Sequence, residues 1–412
     1  MVYSINSGNT SFMLICSSLV MLMTPGLALF YGGFVQRENT LAVMMQSFFS
    51  LAWTSVLWFA FGYSMCFGPT LYGVVGNPFT HAFLRGFALN SLYQNDSALG
   101  IPTLVHVVYQ MTFAVITPAL ITGAFVNRVT FRSYVWFLTG WLIFVYFPFC
   151  HMVWSPEGIL AKIGVLDYAG GIVVHITAGF AAVASVLYVG RRRNIISTPH
   201  NIPMVALGTG LIWFGWFGFN SGSEFKVDAV TTSAFFNTTI AASFGAIAWL
   251  TIEWIYSTRP KFTGLLIGSI AGMATVTPAA GYVSPIAAAA IGLVAGATCF
   301  AAVALKNRIG LDDALDVWGV HGMGGFVGII LLGLLADKAW NPSLATDGLL
   351  MGGSPIFFGV QLAAAVASAI WAFCATYGML WIIDHMVTPV RVEGSIEDEG
   401  LDMELGEVAY MD

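Results

Sequence analysis

The chain has 412 residues, of which 58% are apolar and only 9% are charged, and its formal net charge is −6. A soluble domain carries roughly 25% charged residues, so this composition excludes a soluble globular protein. The negative charge also argues against nucleic-acid binding, which needs a basic stripe on the surface.

Eleven apolar segments are long enough to be membrane-spanning helices. A helix that crosses the hydrocarbon core of a bilayer needs about 20 mostly apolar residues. Because lipid offers no partner to backbone amides, we predict α-helices, and the ten-residue alternation of a membrane barrel is absent from the sequence. The predicted segments are 9–33, 40–67, 102–126, 133–152, 167–190, 202–222, 230–257, 263–280, 283–305, 314–336 and 355–386.

The basic residues predict the orientation in the membrane. With eleven spans, the loops on one side hold most of the 15 Lys and Arg residues, and cytoplasmic loops are the ones enriched in them. We therefore expect a multi-pass protein of the cell membrane with its N-terminus outside and its C-terminus in the cytoplasm. Residues 1–386 form the predicted transmembrane domain, and 387–412 form an acidic cytoplasmic tail.

Similar motifs in the two halves suggest an internal duplication. The sequence P-G-L-A-L-F-Y-G-G at 25–33 in the first segment resembles T-G-L-I-W-F-G-W-F-G at 209–218 in the sixth. The fifth and tenth segments each carry a histidine, His175 and His321. Five helices are an odd number, so we expect inverted repeats, about 9–190 and 202–336, followed by a last helix at 355–386.

His175 and His321 are the sharpest functional candidates, because ionisable groups within a membrane are costly. Two neutral imidazoles in a pore can share a proton and form hydrogen bonds with a polar guest. The alternative is a pair of core histidines that local carbonyl groups satisfy. No Cys, Asp or Glu lies four residues from either, which disfavours a metal site.

Other ionisable residues suit structural roles. Asp167 is the first residue of the fifth segment, where an aspartate caps a helix N-terminus, and we interpret Asp316, near the inner end of the tenth segment, in the same way. An electrostatic effect of Asp167 on cations remains an alternative. His106, near the outer end of the third segment, is expected to pack in the core.

Aromatic side chains cluster in the third segment, in the sixth segment and in the loop before the fifth. They include Phe113, Trp154 and, in W-F-G-W-F-G-F-N-S-G-S at 213–223, Trp216 and Phe219. Aromatic faces attract cations, and stacked rings can close a narrow pore to water. For any single ring, packing in the core is the alternative reading.

Together these motifs resemble the ammonium transporter family, the Amt/Mep/Rh group, and most closely its Amt branch. The specific matches are T-P-G-L-A-L-F-Y-G-G at 24–33, D-Y-A-G-G-I-V-V-H at 167–175, the aromatic motif at 213–223 and D-V-W-G-V-H-G-M-G-G at 316–325. The resemblance implies a homotrimer with one pore through each subunit, no cofactor and no enzymatic activity. It also implies that the tail can meet a PII-type regulatory protein.

The resemblance further implies roles for individual residues. Trp154, Phe113 and Ser223 would frame an outer ammonium-recruitment site that Asp167 supports. Phe113 and Phe219 would form the pore gate, while His175, His321 and Trp216 would line the pore.

The chain departs from the family pattern at Leu405-Gly406, where His-Gly is usual, and at Asn127, where Glu is common. Both departures concern regulation more than the pore. A neutral-gas or urea channel, an ammonium sensor and an intramembrane enzyme are the rival functions, although we find no Cys/His dyad and no H-E-x-x-H motif.

Overall fold

The computed structural model describes residues 5–195 and 198–410 and is almost entirely helical. We number its helices in chain order and describe each run of continuous helix as one element. The bounds are α1 Ser7–Phe34, α2 Arg37–Phe67, α3 Thr103–Phe125, α4 Phe131–Trp154, α5 Gly171–Val189, α6 Ile202–Glu224, α7 Ala229–Ser257, α8 Phe262–Val276, α9 Pro285–Ile309, α10 Trp318–Leu335, α11 Pro355–Met386 and α12 Gly394–Glu399. A separate helical turn at Ile159–Lys162 follows α4. A hairpin of two short strands, β1 Thr70–Leu71 and β2 Val75–Gly76, follows α2.

The all-helical membrane fold is confirmed. Within the described residues, ten helices are long and apolar enough to cross a membrane, and α8 is a shorter apolar helix of 15 residues. At 1.5 Å per residue, α8 spans about 22 Å and is shorter than the roughly 30 Å hydrocarbon core. Eleven spans therefore remain a prediction at α8, although each predicted segment does contain a helix.

Both histidine-bearing helices begin with a wider π-helical turn. In α5 this turn covers Gly171–Ile176, and in α10 it covers Trp318–Gly322. Such turns add a residue to the helical repeat and occur frequently at functional sites. Each turn contains the histidine of its helix, so the same local geometry presents His175 and His321.

Glycines allow the helices of the two halves to pack closely. A methyl group on Gly208 of α6 would overlap the backbone of α1 at Phe30, and one on Gly179 of α5 would overlap Gly322 of α10. Small residues at such crossings permit close backbone approach in membrane proteins. In a duplicated fold, α1 corresponds to α6 and α5 to α10, so these two close crossings agree with inverted repeats. The bounds of the repeats stay a prediction.

Residues 387–410 pack against one face of the bundle, which we call the inner face; the opposite face is the outer face. The backbone amide of Val392 donates to the carbonyl of Arg128 at 2.9 Å. Further along, the Asp402 carboxylate accepts hydrogen bonds from the backbone amides of Leu41 (3.1 Å) and Ala42 (2.8 Å) near the start of α2. The described tail is therefore an ordered part of the inner face.

Candidate functional site

His175 and His321 meet in the interior of the bundle. Their Nδ1 atoms lie 3.2 Å apart, and their rings are nearly parallel at 17°. Both side chains are buried, with exposures of 1% and 6%. The close crossing of α5 and α10 brings them together, because Gly325 of α10 lies directly against the backbone carbonyl of Gly171 and the Cβ of His175.

The Nδ1–Nδ1 contact fixes how the pair can use its protons. One imidazole must donate from Nδ1 and the other must accept, so two neutral rings adopt opposite tautomers. The ring that accepts at Nδ1 carries its proton on Nε2, while the donating ring has a bare Nε2. The described residues supply no hydrogen-bond partner to the buried Nε2 of His175. The pair therefore offers one donor and one acceptor to a small polar guest.

A small apolar cavity of 20 Å³ adjoins the two histidines, enough space for about one water-sized molecule. Trp216 and Phe219 of α6 form its aromatic side, and their ring centroids lie 5.6 Å and 6.2 Å from that of His175. The Trp216 indole donates to the Thr277 hydroxyl at 2.9 Å, which fixes the ring in place. The remaining lining is aliphatic or aromatic.

Phe113 and Phe219 separate this cavity from the outer face. Their ring centroids lie 4.3 Å apart at an angle of 42°, and each side chain is 1% exposed. Phe113 lines the outer cavity, while Phe219 lines the histidine cavity. The two rings thus form an apolar barrier that a guest must displace to pass.

The outer cavity has a volume of 220 Å³ and contains the other predicted site residues. The Trp154 ring packs edge-on against Phe113 with centroids 5.6 Å apart, and its indole donates to the carbonyl of Asp167 at 2.9 Å. Ser223 lies 3.2 Å from the hydroxyl of Tyr109, oxygen to oxygen. Two aromatic faces and a hydroxyl group thus surround a space in which a small cation can bind.

Asp167 caps α5, as its place in the sequence predicted. Its Oδ1 accepts hydrogen bonds from the backbone amides of Gly170 (2.8 Å) and Gly171 (2.6 Å). Its Oδ2 accepts those of Ile172 (2.8 Å) and Val173 (3.2 Å). Four amides at a helix N-terminus compensate much of the carboxylate charge, so Asp167 positions α5 and its histidine.

Known proteins are similar to this chain in both sequence and architecture. Residues 11–410 match the Ammonium Transporter Family. The chain belongs to the ammonium transporter family. An ammonium transporter of Bacillus subtilis (strain 168) is 42% identical over 408 residues, which cover 98% of this chain and 99% of the relative.

Solved structures support the same assignment. The crystal structure of Mep2 from Saccharomyces cerevisiae superposes with a TM-score of 0.88 at 30% identity and covers 95% of this chain and 89% of that chain. A structure named Sensor Amt Protein gives a TM-score of 0.86 at 26% identity, with coverage of 97% and 98%. This ammonium transporter therefore shares its fold with Mep2 and with a protein named as a sensor.

The second predicted cap was wrong. Asp316 of the transporter does not cap α10, because its carboxylate forms an ion pair with Lys306 at 2.6 Å. The cap is Asp313, whose Oδ1 and Oδ2 accept hydrogen bonds from the backbone amides of Val317 (3.1 Å) and Trp318 (2.8 Å). A carboxylate can accept hydrogen bonds from these two amides when its residue lies several positions before them, as Asp313 does. Asp316 directly precedes Val317 and is too close in the chain to do so.

The inner cavity of the transporter, 320 Å³, reaches His321, and Arg192 and Asp312 on its wall belong to a charged network that sequence reasoning missed. Arg128 is fully buried, and its guanidinium lies 3.2 Å from the carboxylate of Asp312, which Arg192 also contacts at 2.6 Å. Burial raises the pKa of Asp312, but the hydrogen bonds from Arg192 and the charge of Arg128 outweigh it and hold the pKa below its ordinary value. From the sequence alone, Arg128 is one of several basic residues in a predicted cytoplasmic loop, and no motif indicates that its side chain is buried.

His106 packs in the core, as predicted. Its ring stacks on Tyr93 with centroids 3.7 Å apart, and its Nδ1 lies 3.2 Å from the Tyr63 hydroxyl. His106 does not line the histidine cavity. Of the seven histidines, only His175 and His321 line that cavity.

Proposed function

We propose that this protein conducts ammonium across the cell membrane by a route that separates ammonia from its proton. The cation binds in the outer cavity between Trp154, Phe113 and Ser223. It gives up a proton near the Phe113–Phe219 gate, and neutral ammonia then passes His175 and His321 to the inner cavity. Asp167 supports the outer site through its cap on α5.

The hydrogen-bonded histidine pair behind an aromatic barrier is the observation that carries this proposal. The 3.2 Å contact between the Nδ1 atoms leaves one donor and one acceptor for ammonia, which needs both. Trp216 and Phe219 complete a lining that stabilises no cation by charge. The same imidazole pair gives the proton a separate path, because each ring can accept a proton on one nitrogen while it releases one from the other nitrogen.

Selectivity against potassium follows from the same geometry. Potassium is similar in radius to ammonium but has no proton to release, so it would have to enter the cavity as a charge. An unpaired charge in an apolar environment is strongly disfavoured. A channel can thus exclude potassium without a ring of charged side chains.

Currents from proteoliposomes on ammonium and potassium pulses test the proposal. We expect a transient current that rises with ammonium concentration and no current with potassium at equal concentration. A neutral-gas channel would move ammonia without any current, so alkalinisation of the lumen without current would contradict the separate proton path. Absence of any ammonium response in a correctly folded trimer would contradict transport itself.

A sensory role is the second candidate, because the chain resembles the protein named Sensor Amt Protein. The described tail contains two short helical segments, α12 of six residues and a 3-10 helix at Leu401–Leu405, which a cytoplasmic signalling partner could bind. We propose a homotrimer with its tails in the cytoplasm, where a PII-type protein could bind them. Transport is favoured over sensing because a cavity that can hold a small guest lies on each side of the gate.

A further inference from the structure

Glu224 ends α6 beside Ser223 and lines the outer cavity. Two carboxylates line that cavity, Glu224 and Asp167, and no Lys, Arg or His is among the described residues that do so. Both oxygens of Asp167 already accept two backbone hydrogen bonds each. Glu224 is therefore the carboxylate with acceptor capacity left for a cation.

The present partners of Glu224 are two hydrogen-bonding groups. The Tyr168 hydroxyl donates to its Oε2 at 3.2 Å, and the Lys226 ammonium group lies 3.3 Å from its Oε1. The same ammonium group is closer to Asp228, at 2.9 Å. The Lys226 side chain is 45% exposed, and ion pairs this close to water are weak. Lys226 can therefore leave Glu224 and keep its contact with Asp228.

Asp228 is held in place because it caps the N-terminus of α7. Its Oδ1 caps α7 and accepts hydrogen bonds from the backbone amides of Val230 (2.9 Å) and Thr231 (3.1 Å). Its Oδ2 is the atom that contacts Lys226. The carboxylate of Asp228 therefore remains available to Lys226 whether or not Glu224 is occupied by another cation.

We propose that Glu224 captures ammonium at the outer cavity and that the Lys226 side chain competes with the substrate for it. A lysine head group is a primary alkylammonium, which is ammonium with one hydrogen replaced by carbon. It presents three N–H donors to an acceptor that would receive the same donors from ammonium. The inference rests on the proposed transport function and names the charged residue that sets the affinity of its outer site.

Concentration-dependent ammonium currents in proteoliposomes test both parts. We expect Glu224→Gln to raise the KM for ammonium about threefold to tenfold with an unchanged maximal current, because one partly exposed charge is lost. Lys226→Gln should lower the KM by about two- to threefold, because the competitor is gone. The double variant should match Glu224→Gln, since Lys226 acts only through Glu224.

Two controls separate a binding role from a structural one. Glu224→Asp keeps the charge and should recover part of the wild-type KM. Lys162→Gln removes an exposed outer cation that does not line the cavity, and its KM should stay at the wild-type value. The effect of Glu224→Gln should also shrink when ionic strength is raised with an impermeant salt.

An unchanged KM in Glu224→Gln, or a higher KM in Lys226→Gln, would overturn the proposal. A lower maximal current with an unchanged KM in Glu224→Gln would also overturn it. Each of these results would still leave ammonium current and potassium exclusion in the wild type, so transport would survive. A wild-type protein without ammonium current would instead contradict the transport function on which this inference rests.

Discussion

Asp313 lies eight residues before His321 and caps α10, the helix that carries this histidine. Asp167 lies eight residues before His175 and caps α5 in the same way. Asp167 lies at the outer cavity, whereas the residues that follow Asp313 line the inner one. The two helices therefore begin at opposite faces and meet at their histidines. Each cap sets the start of its π-helical turn and so the direction in which its imidazole points.

Asp313 gives stability a pH dependence that can be measured. Burial raises its pKa from 3.8 to about 6, with Lys306 opposing and Asp316 adding to the shift. The folded protein then binds a proton more tightly than the unfolded chain, so this contribution is fully present below about pH 4 and is lost as pH rises through about 6. Roughly two pKa units correspond to about 3 kcal/mol.

We therefore expect the thermal unfolding midpoint in detergent to fall between pH 4 and 6.5 more in the wild type than in Asp313→Asn. Asp96→Asn, which changes an exposed loop aspartate, serves as the control and should follow the wild type. Equal pH profiles for Asp313→Asn and the wild type would show that the carboxyl group of Asp313 titrates normally.

Removal of the α5 cap should destabilise the protein strongly. Asp167→Ala would leave four buried backbone amides without their acceptor, which we expect to lower the free energy of unfolding by about 3 kcal/mol. Asp167→Asn keeps one carbonyl acceptor and should fall between Ala and the wild type. Thermal midpoints of the three proteins in one detergent give the comparison, and a midpoint of Asp167→Ala equal to that of the wild type would refute the capping role.

The buried charges at the inner face should behave as a coupled pair. Asp312→Asn leaves the guanidinium of Arg128 buried without its charged partner, and we expect a loss of about 3 kcal/mol. Arg128→Met together with Asp312→Asn removes both charges and should be less destabilised than the sum of the two single variants. A double-mutant cycle on unfolding midpoints measures this coupling, and strictly additive effects would mean that the two side chains do not interact.

Phe219 should matter more than Phe113 for flux. Phe219 contacts Phe113 on one side and lies 5.5 Å from Trp216, ring centroid to centroid, on the other. Phe219→Ala would let water into the histidine cavity, and we expect about a tenfold lower ammonium current, equivalent to about 1.4 kcal/mol in barrier height. Phe113→Ala leaves the Phe219 ring in place and should retain a larger current. The reverse order would place the main barrier at Phe113.

Features that repeat locally could be predicted from the sequence. The apolar segments predicted the helices, and the glycine-flanked histidines His175 and His321 predicted a paired site because both motifs are local and similar. Asp313 was missed although its spacing of eight residues to His321 was readable, because the nearer Asp316 looked like a cap. Other features arise only in the fold.

Arg128 belongs to this second group. It is buried because the ends of α3, α5 and the loop before α10 converge on it, and its carbonyl acceptor at Gly190 is 62 residues away. Glu224 is similar, since its role depends on Tyr168 from a distant segment. A contact between remote residues has no signature in one sequence, whereas a helix pattern does.

The ratio of ammonium to potassium current in His175→Ala and His321→Ala tests the central claim most directly. Both variants should show either no ammonium current or a lower ratio of ammonium to potassium current than the wild type. Each substitution removes an imidazole that forms hydrogen bonds with ammonia and conducts its proton. His385→Ala, which changes an exposed histidine at the end of α11, should keep the wild-type ratio. Wild-type currents and an unchanged ratio in both pore variants would contradict permeation along the histidine pair.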